Sequence, residues 1–140
     1  MSATSTLGMP ILKKQFAEII FDDAIINIHD LRLRTYIGFN PEELSKRQDV
    51  VVNAAISYRA GQACESDDEL NALNYKPITK KIISLVEQGK FRLLEKLAAE
   101  LLALVMSNTE VTRAQITVDK PHALRFADSV GITLSASRQK

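Results

Sequence analysis

Apolar positions along the chain follow two rhythms. Strict alternation appears in "DVVVNAAISYRA", where Val50, Val52, Ala54, Ile56 and Tyr58 share one face of a strand. It returns in "VTRAQITVDK", with Ala114, Ile116, Val118 and Lys120 in one row, and in "DSVGITLSAS", with Val130, Ile132, Leu134 and Ala136. "AIINIHDLRLRTYIG" is also β-rich, but its phase slips. Ile26 and Ile28 hold one phase, Leu31 and Leu33 the other, so a bulge is expected at His29–Asp30. The second rhythm is helical. Pro77 opens a helix with a stripe of Ile78, Ile82, Leu85 and Val86, and Gly89 ends it. "FRLLEKLAAELLALVMSN" predicts another, with Leu94, Leu97, Leu101 and Leu104 on one face and strong helix formers around them. Near the start, Leu12, Phe16, Ile19 and Ile20 recur at helical spacing after Pro10.

The predicted order is β-β-α-α-β-β. Two hairpins flanking two helices make an α+β domain, an antiparallel four-stranded sheet with both helices on one face. This single domain spans residues 24–140. Residues 1–23 are an N-terminal extension, with a disordered start over 1–9 and then the short helix. "FNPEELSKRQ" and "GQACESDDELNALNY" are predicted as polar loops. A four-stranded sheet leaves two edges rich in valine and isoleucine, and pairing between subunits is one way to cover them.

Composition narrows the function classes. A net charge of +1 on 140 residues gives no global steering toward nucleic acid or anionic lipid. Cys64 stands alone, which excludes an internal disulfide framework and fits a reducing compartment. His29 and His122 are the only histidines, and neither sits with Cys64 at zinc-ligand spacing. No apolar run approaches the ~18 residues of a membrane span. "MSATSTLGMPILKKQF" lacks the charged start and apolar centre of a signal peptide, so a soluble cytoplasmic protein is expected.

Lys120 breaks its row. Ala114, Ile116 and Val118 belong against a core, and a lysine closing that row needs a reason. "LRLRTYIG", "RQDVVVNAAISY", "LNALNYKPITKKI", "FRLLEKLAAELL" and "DKPHALRFADSVGITLS" supply one, because in this order and spacing they resemble the dihydroneopterin aldolase family. The likeness covers about residues 24–138 and is closer to the family's epimerase branch. It implies the tunnelling fold (T-fold), in which subunits join their sheets into a barrel and two rings of four stack into a homo-octamer. It also implies a pterin substrate, sites between subunits, and no metal or cofactor.

The roles that follow are those the resemblance implies. Glu95 anchors the pterin through its amino and ring N–H groups, since a carboxylate can accept both. The backbone of Leu94 binds the same ring. Tyr75 stacks on it from the neighbouring subunit. Glu43, five residues after Gly38, lies near the substrate side chain, with Glu42 able to exchange roles. Lys120 is the active-site lysine, and His122 stays open. Apart from the resemblance, Arg125 is the expected phosphate ligand, because "KPHALRF" places it in a short loop with Lys120 and His122 and its planar fork suits phosphate, with Arg32 and Arg34 on the first strand as further cations.

Each of these residues has an ordinary alternative. A first-turn glutamate suits the helix dipole. A tyrosine before a helix packs. Loop glutamates are solvated, Arg125 can make a surface ion pair, and a strand-end lysine guards an edge. The resemblance reverses that balance for Glu95, Tyr75 and Lys120.

The implied reaction is epimerisation at C2′ of 7,8-dihydroneopterin triphosphate by retro-aldol cleavage and re-addition, an isomerase activity. The alternative is aldolase chemistry that releases glycolaldehyde and 6-hydroxymethyl-dihydropterin. The ring imine is the electron sink, and the protein needs a base for the C2′ hydroxyl. Lys120 fits that task if partial burial beside the apolar row lowers its pKa from ~10.4. A rival of another class is a non-catalytic α+β assembly module.

Overall fold

A computed structural model describes residues 14–138. Its sheet holds β1 (Ala24–Ile37), β2 (Gln48–Tyr58), β3 (Lys90–Phe91), β4 (Val111–Lys120) and β5 (Val130–Ser137) in the order β3-β1-β2-β4-β5. All pairings are antiparallel except the parallel β1–β3 pair. The two long helices are α3 (Tyr75–Gln88) and α4 (Leu94–Met106), preceded by the short α1 (Pro41–Ser45) and α2 (Gly61–Ser66).

The alternating rows fall where their periodicity puts them. Leu33 and Ile37 of β1, Val50, Val52, Ala54 and Ile56 of β2, and Ala114, Ile116 and Val118 of β4 are all buried on one face. There α3 packs on β1 and α4 on β4 and β5. The phase slip in β1 is a bulge between Ile28 and Leu31, which pair with Ala54 and Val52. His29 and Asp30 thus oppose Asn53 alone. Asp30 adopts φ 51°, and its N–H donates to Asn53 Oδ1 at 2.8 Å.

Several elements differ from the sequence reading. The sheet has five strands rather than four. β3 is two residues long, too short to show a period, and lies just ahead of α4. Gly89 permits its approach, because a Cβ there would sit 2.2 Å from the Phe91 ring. The two expected loops contain α1, α2 and a 3₁₀ turn at Glu69–Asn71. α3 starts at Tyr75, ahead of Pro77, because Asn74 caps it by accepting from Lys76 N–H. In α4 the buried face is Leu97, Ala98, Leu101, Leu102 and Val105, while Leu94 and Leu104 are half-buried.

The expected helix near the N-terminus is one 3₁₀ turn, Lys14–Phe16, over its described part. Ile19 and Ile20 are 52% and 94% exposed, so this part of the stripe finds no partner surface among the described residues. Leu12 and the segment 1–9 lie outside the described residues.

Candidate active site

One end of the sheet gathers the candidate residues. β1 ends there at Ile37, so its antiparallel neighbour β2 begins there; β4 ends there at Lys120, and β5 begins there. β3 pairs with Tyr36 and Ile37, and Gly38 N–H donates to Phe91 O at 2.9 Å. α4 starts three residues later, so Leu94 and Glu95 open the helix at this same end, with Glu95 exposed.

Lys120 is half-buried, as the last member of the row Ala114, Ile116, Val118. Its Nζ donates to Glu43 Oε2 at 2.5 Å, and the two side chains are only 14% and 20% exposed. Glu43 reaches it from α1. Asn40 caps that helix in a reciprocal box: its Oδ1 accepts from Glu43 N–H at 2.9 Å, and its own N–H donates to Glu43 Oε1 at 3.4 Å. Pro41 holds the first helical position, where a missing N–H is harmless. Gly38, at φ +128°, leaves the room the carboxylate occupies; a Cβ there would lie 2.1 Å from the carboxyl carbon. The Lys120 hydrogen bond, helped by the Asn40 N–H, holds the Glu43 carboxyl below its ordinary value of 4.5. Gln48 Nε2 donates to Ile37 O at 2.6 Å and ties this turn to β2.

Glu42 and Glu43 differ in where they stand. Glu42 is exposed, and Glu43 is the one that turns inward to the lysine. His122 stands beside the pair rather than in it, with Nε2 3.6 Å from Asp49 Oδ2. Asp49 also meets Arg34 Nε at 3.7 Å. Arg125 lies in the exposed segment after Lys120, its guanidinium 5.5 Å from the Phe126 ring centre, and Phe126 is 95% exposed. Arg32 is on the sheet face away from the helices.

Tyr75 does not join them. Thr35 Oγ1 donates to Gly89 O, so the C-terminus of α3 abuts the candidate end of the sheet. Tyr75 is the first residue of this 14-residue helix, which places it roughly 20 Å away along the axis. It is 51% exposed there. The sequence reading names Glu43 and Lys120 separately without their contact, gives Gly38 only as a landmark, and leaves out Asn40. The spacing Asn-x-x-Glu ahead of an apolar leucine was the available signal.

Comparison with known proteins decides the family. The FolB dihydroneopterin aldolase family model matches residues 26–135. This chain belongs to the dihydroneopterin aldolase family. Among its relatives is a Pseudomonas aeruginosa protein named dihydroneopterin triphosphate 2′-epimerase, 53% identical over 82% of this chain and 94% of that one. A protein of the same name from Escherichia coli K12 is 50% identical over 82% of this chain and 96% of its own. The solved structure of Escherichia coli dihydroneopterin aldolase in complex with neopterin matches with a TM-score of 0.77 at 28% identity, covering 81% of this chain and 99% of that one. The α+β architecture is therefore the T-fold of the dihydroneopterin aldolases. Among the described residues no helix is long and apolar enough to cross a membrane, and no group of three or more His, Cys, Asp or Glu side chains is arranged to hold a metal ion.

Proposed function

We propose that this chain is an isomerase that inverts C2′ of 7,8-dihydroneopterin triphosphate, giving the dihydromonapterin triphosphate. The observation that carries the reading is the Glu43–Lys120 pair closing an apolar row, in a chain about half identical to proteins named as that epimerase. In this reading a base in the pair removes the C2′ hydroxyl proton. The C1′–C2′ bond breaks, its electrons pass to C1′ and the ring imine, and an enamine and an aldehyde form. The aldehyde turns over within the site and re-adds with C2′ inverted, and the proton returns to its oxygen. Lys120 carries out the proton transfer, directly or through one water, and Glu43, kept ionised chiefly by the Lys120 hydrogen bond, holds the lysine in place. Glu95 and the Leu94 backbone hold the pterin, and Arg125 takes the phosphates.

Tyr75 completes the site from a second copy. Its distance from Glu95 within one chain supports that reading, since one ligand cannot touch both ends of α3. The open β5 edge supports it further. Leu134 of β5 is 37% exposed, and a groove of about 630 Å³ runs between Ala99, Ala103 and Met106 of α4 and Leu134 and Ala136 of β5. The assembly is a homo-octamer of two stacked tetramers in the cytoplasm. The catalytic domain spans 24–140 behind the extension 1–23.

A second reading is aldolase activity at the same site, favoured by the family model's own description. Chromatography of products from dihydroneopterin triphosphate separates the two. Monapterin triphosphate as the main product supports the epimerase, and net release of 6-hydroxymethyl-dihydropterin supports the aldolase. Neither product, together with no quenching of neopterin fluorescence on mixing, leaves the assembly-module reading.

A further inference from the structure

We propose that Asn40 is a positioning residue, whose side chain sets the Glu43 carboxylate against Lys120 for proton transfer. The inference rests on the epimerase or aldolase reading of the site.

α1 is five residues long and buries none of them, so no core packing fixes its orientation. Three contacts aim the Glu43 side chain instead. Oε2 takes the Lys120 ammonium, Oε1 takes the Asn40 N–H, and the carboxyl group lies against the Cα of Gly38. The Asn40 amide oxygen holds the other end of the same residue by accepting Glu43 N–H at 2.9 Å. Glu43 is thus gripped at backbone and side chain by one residue three positions earlier. Without the amide oxygen the first turn of α1 loses its cap, and the carboxylate keeps only contacts that can swing with the turn. The facing charged group is Lys120 from β4, and Glu42 on α1 itself is exposed. A loosened Glu43 therefore meets Lys120 less often, and its carboxyl moves back up toward the ordinary carboxylate range.

The test compares the full-length wild type with Asn40→Ala, Asn40→Gly and Asn40→Ser. Glycine is a tolerated cap and serine a good one, so the series separates helix stability from the side-chain oxygen. Asn40→Ala and Asn40→Gly should lower kcat roughly 10-fold, within the range that misplacement of a reacting group produces. Their affinity for neopterin should stay unchanged, and the acid limb of kcat should move to higher pH. Asn40→Ser should restore both. Wild-type kcat and acid limb in Asn40→Gly overturn the proposal, as does equal impairment of the serine and glycine variants.

A readout independent of turnover is the rate at which an amine-reactive ester acylates Lys120, followed by peptide mass. Loss of the Glu43 partner should speed it in Asn40→Gly and not in Asn40→Ser. If the wild type fails to turn over dihydroneopterin triphosphate, the proposed function falls, and these acylation rates still decide the role of Asn40; equal rates in all variants reject it.

Discussion

Lys120 Nζ and Glu43 Oε2 meet at 2.5 Å across 77 positions of sequence, where the apolar row of β4 runs out. The contact explains a lysine in a row of core residues. The row reaches the end of the sheet, and the next side chain stands at the rim, where a carboxylate from the turn after β1 is waiting. Such a pair has no packing purpose. Fourteen per cent exposure is a costly place for an ammonium, and a leucine would have closed the core at less desolvation cost.

Lys120→Ala should keep neopterin binding and lose ~10²–10⁴ of the turnover rate, the usual share of a general acid–base. The lysine forms no Schiff base in this scheme, because the substrate side chain offers hydroxyls and the ring imine already accepts the electrons. Borohydride added during turnover should leave the protein mass unchanged. A reduced adduct on Lys120, or near-normal turnover of the alanine variant, contradicts the assignment.

The pair also makes stability depend on pH. The folded-state pKa of Glu43 is lowered, chiefly by the Lys120 hydrogen bond. Its contribution to stability is therefore complete above the ordinary value of 4.5 and disappears as pH falls through the lower folded-state value. Glu43→Gln should cost on the order of 1 kcal/mol in denaturant unfolding at pH 7, since the pair is partly solvated. Wild type and variant should converge as the pH falls through that lowered folded-state value. A gap that stays constant with pH would mean that glutamine disturbs α1 for reasons other than charge.

What the sequence made legible follows from signal length. Rows such as Val50–Tyr58 and Ala114–Val118 repeat often enough for the period to be read, and the bulge at His29–Asp30 showed as a phase change. β3 has two residues and α1 five, so neither carries a period. Their evidence is chemical, in the Asn40 cap and the space at Gly89. Glu43 and Lys120 were named as site residues from family likeness, but their contact depends on how the turn after Gly38 folds back, which no local pattern encodes. The distance of Tyr75 from Glu95 was likewise invisible until the direction of α3 against β1 was known.

Glu95→Gln retains the side-chain shape and turns one acceptor oxygen into a donor aimed at the N–H groups of the pterin. Losing a charged hydrogen bond while leaving a donor unpaired should cost on the order of 2–4 kcal/mol of binding. Calorimetry with neopterin reads this directly, and unchanged affinity would leave Glu95 as an ordinary first-turn acid at the helix dipole.

Arg125 stacks near Phe126 in the exposed segment after Lys120, free to turn its planar fork toward an anion. Arg125→Ala should raise KM for dihydroneopterin triphosphate more than for unphosphorylated dihydroneopterin. Equal effects on both substrates would return Arg125 to the surface, and Arg34 beside Asp49 and His122 becomes the next candidate.

The last expectation concerns Tyr75, at the far end of α3. If the site draws Lys120 from one subunit and Tyr75 from another, two defective variants can repair each other. Lys120→Ala and Tyr75→Ala should each be poor enzymes alone. Mixed at equal concentration, dissociated in mild denaturant and reassembled, they form oligomers in which about a quarter of the subunit junctions join an intact Lys120 to an intact Tyr75, by the statistics of a closed homo-oligomer. Activity should rise toward that fraction of wild type, and it should not rise when the intact oligomers are mixed without dissociation. A site confined to one chain gives no gain under either protocol, because every subunit then carries its own defect. The geometry favours repair: with Thr35 holding Gly89, Tyr75 cannot swing to the Lys120 end without unwinding the helix.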